Sequence, residues 1–195
     1  MRTALLGFVI AVVIGIPLGT LLGMSRIAAR STQFLVDFGR TIPVIALMPL
    51  AVLVFKLSFK MGVLLVIYGA IWPVLIQATY AVGQITPQSR QMVRAFHITL
   101  PERIRFVYAP SMTPFLMTAL RLSASVSLLM AFTTEFLVRL PGLGVAMRDA
   151  GETDPHATVA YMLTAGLLGA AISIIVLLVQ RRVLWWHPSQ RGKGQ

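Results

Sequence analysis

Two ionisable side chains and one amide side chain within the apolar stretches of this sequence are its best candidates for chemistry. Arg121 and Glu135 stand near the two ends of one such stretch, and Gln77 lies in another. Ionisable side chains at membrane depth pair with one another, face water or mark a solute path. Arg121 could therefore extend to the nearer interface or contact an anion in a pathway. Glu135 could pair with Arg139, four residues later, or act as a gate.

The sequence shows no set of residues typical of an enzyme. The three histidines, His97, His156 and His187, are isolated, and no His-x-x-x-His or Glu-x-x-His pair occurs. Cysteine is absent, which excludes disulfides and thiolate metal sites. There is no nucleophile–base pair and no G-x-x-x-x-G-K-[ST] phosphate loop. The sequence predicts no catalytic activity, no metal and no cofactor.

The elements that must position these side chains are membrane helices. The chain has 195 residues, of which 57% are hydrophobic and 12% charged, and it is too apolar for a soluble domain. Five apolar segments occupy residues 4–24, 41–55, 61–83, 111–137 and 159–180. Four of them can cross a hydrocarbon core of about 30 Å. The short one contains Pro43 and Pro49, and it needs flanking residues or neighbours that cover its backbone.

We therefore predict a single all-α domain over residues 1–195, a polytopic bundle of about five spans. The first segment is long for a signal peptide, so we interpret it as a retained span. The chain opens almost directly into a helix, which indicates either a natural short form or a preceding helix that is missing here. Gly15, Gly19 and Gly23 recur every four residues and predict close helix packing. The serines and threonines at membrane depth predict helix–helix hydrogen bonds, although a few could line a path.

The distribution of positive charge predicts the orientation. Lys and Arg concentrate in alternate loops, which the positive-inside rule places in the cytoplasm. The predicted cytoplasmic residues are Arg26, Arg30, Arg40, Arg90, Arg94, Arg103, Arg105, Arg181, Arg182, Arg191 and Lys193; the predicted outer ones are Arg2, Lys56, Lys60, Arg139 and Arg148. Trp185 and Trp186 follow the last span, where indoles favour the interface. The net charge of +11 does not indicate nucleic-acid binding, since no soluble domain remains to carry it.

A basic insert, residues 86–114, separates the third and fourth apolar runs. Thr86 followed by Pro87 predicts a helix start. Over residues 89–96, Val93 and Phe96 would form an apolar stripe, and two arginines would form a basic one. We expect a break near residues 99–101 and a second short helix over 102–108 that ends at Pro110. Such helices could rest on anionic lipid or insert into a groove of a soluble partner.

The insert and the segments around it resemble the integral membrane subunits of bacterial ABC importers, closest to the nitrate/sulfonate/taurine-type branch. That branch also includes riboflavin and thiamine-precursor permeases. The matching residues are Pro87 through Arg94, Val107, Pro110, Pro114, Arg121, Glu135 and Gly142-Leu143-Gly144; upstream, Gly15, Pro17, Gly19 and Gly23; and Arg40, Pro43, Pro49 and Leu50. The family's Glu-Ala-Ala positions read Gln91-Met92-Val93, and its glycine reads His97.

The resemblance implies a type I ABC permease. Two such subunits would form the pathway, a cytoplasmic ATP-binding subunit would supply the ATPase activity, and an extracytoplasmic solute-binding protein would deliver the solute. The coupling loop would cover about residues 84–112, and a cytoplasmic tail would cover 181–195. Its coupling residues would be Arg90, Gln91, Met92, Val93, Arg94, Phe96, His97, Pro101, Arg105 and Pro110. The solute would be a small anion or vitamin precursor, such as a sulfonate, taurine, nitrate or a pyrimidine-like compound.

Three other interpretations remain open at this stage. A membrane-embedded enzyme or scaffold would need converging catalytic side chains or a purely surface role. A secondary transporter fragment should show internal repeats or mid-membrane charges, which the sequence does not display. A degenerate or truncated permease paralogue would fit the altered coupling motif and the absence of one N-terminal span that the family normally has. The sequence does not distinguish a homodimer from a heterodimer.

Overall fold

The computed structural model describes residues 1–185, and this part of the chain is all-α. Trp186, His187, Arg191 and Lys193 lie outside the described residues. The elements are α1 (Arg2–Met24), α2 (Arg26–Thr41), α3 (Val44–Phe55), α4 (Phe59–Gly83), α5 (Pro87–Ala95), α6 (Leu100–Glu102), α7 (Ala109–Val138), α8 (Leu143–Thr153) and α9 (Pro155–Val183). A π-helical segment, Arg103–Tyr108, joins α6 to α7.

Four helical stretches are long and apolar enough to cross a membrane: α1, α4, the continuous stretch Leu100–Val138, and α9. A fifth candidate is broken, because α2 and α3 meet at a bend of 84°. Pro43 causes the break, since it keeps the preceding Ile42 extended (ψ 117°) and it has no amide hydrogen to donate. The prediction of four comfortable spans is confirmed, and the short fifth segment, α3, becomes a candidate span only together with α2.

The segment between the first two apolar runs is not the loop that the sequence suggested. Residues Arg26–Thr41 form the 16-residue helix α2, and the Ser25 hydroxyl caps it by accepting from the Ala28 amide at 3.2 Å. The end of α2 reaches α4 at its middle, where the Tyr68 hydroxyl donates to the Gly39 carbonyl at 2.7 Å. Arg40 follows directly in the last turn of α2, so the prediction that it lies in a loop is wrong.

The core lies where α4 packs between α1 and α7. The glycines of α1 face α4 closely, as the sequence predicted. A Cβ on Gly19 would lie 2.5 Å from the Leu75 carbonyl oxygen, and one on Gly23 would lie 2.7 Å from that of Thr79. The Thr79 hydroxyl also donates to the Gly19 carbonyl at 3.0 Å. Small residues thus let two backbones approach, which drives helix association where hydrophobic burial adds little.

A buried hydroxyl ties α7 to α4. Ser123 donates to the Ala70 carbonyl at 2.9 Å, which confirms one of the predicted helix–helix hydrogen bonds. The hydroxyls of Ser125, Ser127, Thr133 and Thr134 instead donate to carbonyls four residues earlier in α7. Such local bonds satisfy a hydroxyl without joining two helices.

Small apolar clusters close the two ends of the bundle. At one end, Met61, Leu65 and Leu140 pack with Met48 and Ala51 of α3. At the other end, Ala81, Val82, Ile85 and Met112 pack together beneath the central insert. The second end is the one that charge predicts to be cytoplasmic, because the basic insert lies there.

Candidate functional site

The central insert contains a tight helix end. Helix α5 begins as predicted, with the Thr86 hydroxyl accepting from the Ser89 amide at 3.2 Å. At its other end the His97 amide donates to Arg94 and the Ile98 amide donates to Val93, both at 3.2 Å. This pair of bonds is a Schellman motif, which places its C′ residue in the left-handed region. His97 occupies that position with φ 48°, where the resembling family has glycine.

The chain leaves this turn through a second capped start. Thr99 caps α6, and the Glu102 carboxylate accepts from the Thr99 amide at 3.1 Å and from its hydroxyl at 2.8 Å. The Arg103 Nε donates back to the Ile98 carbonyl at 2.7 Å. The break between the two helices therefore falls at residues 96–99, and Pro101 lies in the first turn of the next helix rather than in the break.

The predicted second short helix does not end at Pro110. The helix continues into the membrane, and Leu100–Val138 forms one stretch. A proline inside a regular α-helix clashes with the carbonyl four residues earlier and cannot donate its own bond. Here the π-helical turn precedes Pro110, and the Ala109 amide donates to Ile104, five residues back. We attribute the uninterrupted path through Pro110 to this wider turn, which relieves the clash.

The predicted apolar stripe on α5 is divided between two environments. Val93 is buried at 2% exposure, whereas Phe96 is 75% exposed. Met92, Leu100, Ile104 and Phe106 are also exposed, and the guanidinium of Arg105 lies 5.4 Å from the ring centroid of Phe106. The stripe prediction is wrong because Phe96 is the C-cap, where the chain already leaves the helix. We call the exposed side chains of Met92, Phe96, Leu100, Ile104 and Phe106 the apolar patch.

The other predicted coupling residues divide between the surface and a cavity. Gln91 and Pro101 are exposed, Pro110 is half-buried, and His97 is exposed at the turn. Arg90 and Arg94 line a cavity together with Arg103. The insert thus presents an apolar patch and, separately, a basic cavity.

Arg121 lies near the middle of the membrane span. It stands two residues before Ser123, which is about 3 Å along the helix axis. Ser123 bonds to Ala70, the twelfth of the 25 residues of α4. In the lone protomer the Arg121 side chain is exposed. Gln77 is half-buried on α4, and Glu135 is 14 residues beyond Arg121, about 21 Å away. The three predicted pathway residues are therefore not brought together.

Glu135 is buried at the opposite end of α7. Glu135 is 4% exposed, and its carboxylate accepts hydrogen bonds from the Gly144 amide at 3.2 Å and from the Thr3 hydroxyl at 3.4 Å. The expected pair with Arg139 does not form. Arg139 ends α7 in the left-handed region (φ 56°), so the helical spacing that would bring it to Glu135 is lost. It pairs instead with Glu152 of α8 at 3.3 Å.

Sequence reasoning missed a polar face on α2. Arg30, Gln33, Asp37 and Arg40 recur at helical spacing and line a cavity of about 250 Å³ against Ile76, Thr79 and Tyr80 of α4. Ile27, Phe34, Leu35 and Phe38 are exposed. Arg40 and Asp37 form an ion pair at 3.0 Å. This helix is too polar on average to be recognised as a membrane span. The 3.6-residue period of its polar and apolar residues is the signal that could have revealed it.

A known protein family and known structures match nearly the whole chain. The family described as binding-protein-dependent transport system inner membrane component matches residues 11–184. Among solved structures, the chain resembles one from the MetNI methionine ABC transporter in an inward-facing conformation, with a TM-score of 0.80 and 19% identity over 93% of this chain and 91% of that one. This likeness confirms the expected type I permease fold.

The chain is also similar to permease proteins that are longer than it is. The chain is 25% identical to a nitrate import permease protein and 27% identical to a bicarbonate transport system permease protein, both of Synechococcus elongatus. The two alignments include 91% and 92% of this chain, respectively. The chain spans less than two thirds of each relative's length, 65% of the first and 63% of the second. It is 25% identical to a putative aliphatic sulfonates transport permease of Bacillus subtilis, over 97% of this chain and 69% of that one. The chain therefore belongs to the family of binding-protein-dependent transport system inner membrane components.

Proposed function

We propose that this protein is the permease subunit of an ABC importer in the inner membrane, and that its coupling loop, about residues 84–112, docks into a separate cytoplasmic ATP-binding subunit. The observation that carries the proposal is the apolar patch. Phe96 is 75% exposed and Phe106 is 67% exposed at the end of the bundle where positive charge gathers. Exposed aromatic side chains on a short helix and turn are suited to filling a partner's pocket.

The solute is a small anion. The polar cavity beside α2 supports this, because it holds two arginines and one carboxylate and therefore has an excess of positive charge. Arg40 lies at the depth of Trp72, the fourteenth of the 25 residues of α4, since Gly39 packs directly against the Trp72 ring. Asp37 is the partner of Arg40 at that depth, at 3.0 Å, which leaves Arg30 as the unpaired positive charge of the cavity among the described residues. Relatives named for nitrate, bicarbonate and aliphatic sulfonates agree with an anionic solute.

A second permease subunit covers the open face of α7. Arg121 is near mid-depth and exposed in the protomer, and a guanidinium there is not stable against lipid tails. A partner subunit or a water-filled path between two subunits would accommodate it. Arg40 lines a cavity against α4, whereas Arg121 faces away from α4, because it lies about 200° around α7 from Ser123, the residue that bonds to α4. Arg40 would thus act within one protomer and Arg121 at the boundary between two.

An extracytoplasmic solute-binding protein contacts the end of the bundle formed by α8 and the turn before it. There Arg139 bridges Glu152 and Asp149 at 3.3 and 3.7 Å. The Arg148 Nη1 also donates to the carbonyls of Phe136 and Leu137 at 3.2 Å, which fixes α8 against the end of α7. A rigid outer helix suits a surface that a delivering protein must recognise repeatedly.

The experiment that tests the proposal is uptake by the assembled system. The chain would be expressed with a candidate ATP-binding subunit and a candidate binding protein from the same organism, and uptake of nitrate, bicarbonate and an alkanesulfonate would be measured in turn. We expect ATP-dependent uptake of one of these anions. Assembly with the ATPase but no uptake of any anion would contradict the anionic solute. Failure of this chain to assemble with the ATPase would instead favour a non-transporting paralogue or a membrane scaffold.

A further inference from the structure

Three arginines of the central insert border one cavity at the end of the bundle. Arg90 and Arg94 of α5 and Arg103 of the π-helical segment line a space of about 240 Å³. It lies where α1 and α4 end, since Met24 and Val82 are among its other lining residues. The cavity is therefore at the level where spans meet the headgroup region, on the side that charge predicts to be cytoplasmic.

The positive charge of this cavity is not neutralised by the protein. No acidic residue lines it among residues 1–185. Glu102, the acidic residue of the insert, is engaged by the Thr99 amide and hydroxyl. Arg103 bonds to the Ile98 carbonyl, whereas the side chains of Arg90 and Arg94 form no ion pair or hydrogen bond within the described chain. A guanidinium group binds phosphate through two parallel hydrogen bonds. Two neighbouring guanidinium groups without protein partners, those of Arg90 and Arg94, therefore favour a phosphate ligand.

The remaining wall of the cavity is mostly apolar, with the hydroxyl of Thr20 beside it. Met24, Val82, Ile85, Val93 and Met112 line it beside the arginines, and Tyr108 adds an aromatic ring with a hydroxyl. A free phosphate would leave this wall against water, which is unfavourable. A ligand with a phosphate next to glycerol and acyl carbons would satisfy the arginines and cover the wall together.

We propose that the cavity between Arg90, Arg94 and Arg103 binds the phosphate of an anionic phospholipid, with the lipid's glycerol and upper acyl carbons against the apolar wall. Basic pockets between membrane helices on the cytoplasmic side suit such headgroups. The lipid would hold α5 against the ends of α1 and α4. The three arginines that line the cavity would then bind lipid, and the apolar patch would bind the ATP-binding subunit.

Titration of the purified full chain with short-chain lipids tests this. Dihexanoyl phosphatidylglycerol, dihexanoyl phosphatidylcholine and inorganic phosphate would each be added to the protein in neutral maltoside detergent, with binding followed by calorimetry. We expect phosphatidylglycerol to bind more tightly than both other probes. Arg94→Gln should weaken it about fivefold, and the double variant Arg90→Gln/Arg94→Gln should weaken it further.

Arg105→Gln is the matched control, because it removes the same charge from the same segment. Arg105 stacks over Phe106 and does not line the cavity. We expect it to change the affinity less than about twofold. Equal losses in Arg94→Gln and Arg105→Gln would overturn the proposal in favour of general surface attraction. Inorganic phosphate binding as tightly as phosphatidylglycerol would replace the lipid with a soluble phosphate. Equal binding of phosphatidylcholine would show that only the apolar wall contributes.

Discussion

The backbone amide of Ile98 donates to the carbonyl of Val93 at 3.2 Å, and this bond closes the turn that ends α5. It fixes the exposed Phe96 on one side of the turn while Val93 stays buried on the other. His97 lies between these two bonded groups, and its φ of 48° places it in the left-handed region, which is unfavourable for a residue with a Cβ. A turn that positions the apolar patch thus contains a side chain where glycine would be unstrained.

His97→Gly should strengthen this turn. Glycine adopts the left-handed region without the Cβ clash, which costs roughly 1–2 kcal/mol for other residues, so we expect a gain of about 1 kcal/mol. Hydrogen exchange at the Ile98 amide should slow by roughly fivefold, because that amide reports local opening of the turn. His97→Ala is the control, since alanine keeps the Cβ. Equal exchange rates in the two variants would show that φ at this position is not strained.

Gly144→Ala should destabilise the outer end of the bundle. A Cβ there would lie 2.5 Å from the Phe132 carbonyl oxygen and 2.6 Å from the Phe136 amide nitrogen, so α8 and α7 would have to separate. We expect a loss of about 1–3 kcal/mol, read as a lower thermal midpoint in detergent. Gly166→Ala provides the comparison, because no atom lies within 4 Å of its Cβ position and alanine favours a helix. A midpoint for Gly144→Ala at or above that of Gly166→Ala would refute the close packing.

Arg40→Gln should impair transport without impairing assembly. The substitution removes one of the two positive charges that line the cavity beside α2 and leaves Asp37 without its partner. The half-exposed Asp37 carboxylate, left unpaired beside the cavity, repels an anion, so we expect uptake of the transported anion to fall at least about tenfold. Co-purification with the ATP-binding subunit should stay unchanged.

Arg2→Gln is the control for this prediction, because Arg2 begins α1 at the other end of the bundle. It removes a charge of the same kind far from the cavity. Uptake that falls equally in both variants, or that persists in Arg40→Gln, would remove the cavity from the proposed path.

The spans were predictable because they depend on apolar length alone. The stretches of α1, α4, α7 and α9 each contain a long uncharged run, and Pro43 identifies the broken span. Thr86 and Pro87 likewise predicted the start of α5, since a capping hydroxyl and a proline act locally. Features that rest on neighbouring sequence were therefore available without coordinates.

The misplaced features depend on distant or unusual backbone. Pro110 suggested a helix end because the π-helical turn before it leaves no plain sequence signal. Arg139 seemed a partner for Glu135 because four-residue spacing assumes that the helix continues, and the left-handed Arg139 ends it. Arg40 seemed to lie in a loop because only the contact of Gly39 with Trp72 reveals its depth. Each outcome required knowing where the chain turns in space.

The most direct test of the account is whether the apolar patch binds the ATPase. The full chain and its Phe96→Ser variant would be co-expressed with a candidate ATP-binding subunit from the same organism, and the affinity of the complex would be measured after purification in mild detergent. Phe59→Ser makes the same substitution at the opposite end, where Phe59 starts α4 and is 48% exposed. We predict that Phe96→Ser loses about thirtyfold or more in affinity and that Phe59→Ser binds like the wild type. A Phe96→Ser variant that binds as tightly as the wild type would contradict the assignment of this surface as the coupling site.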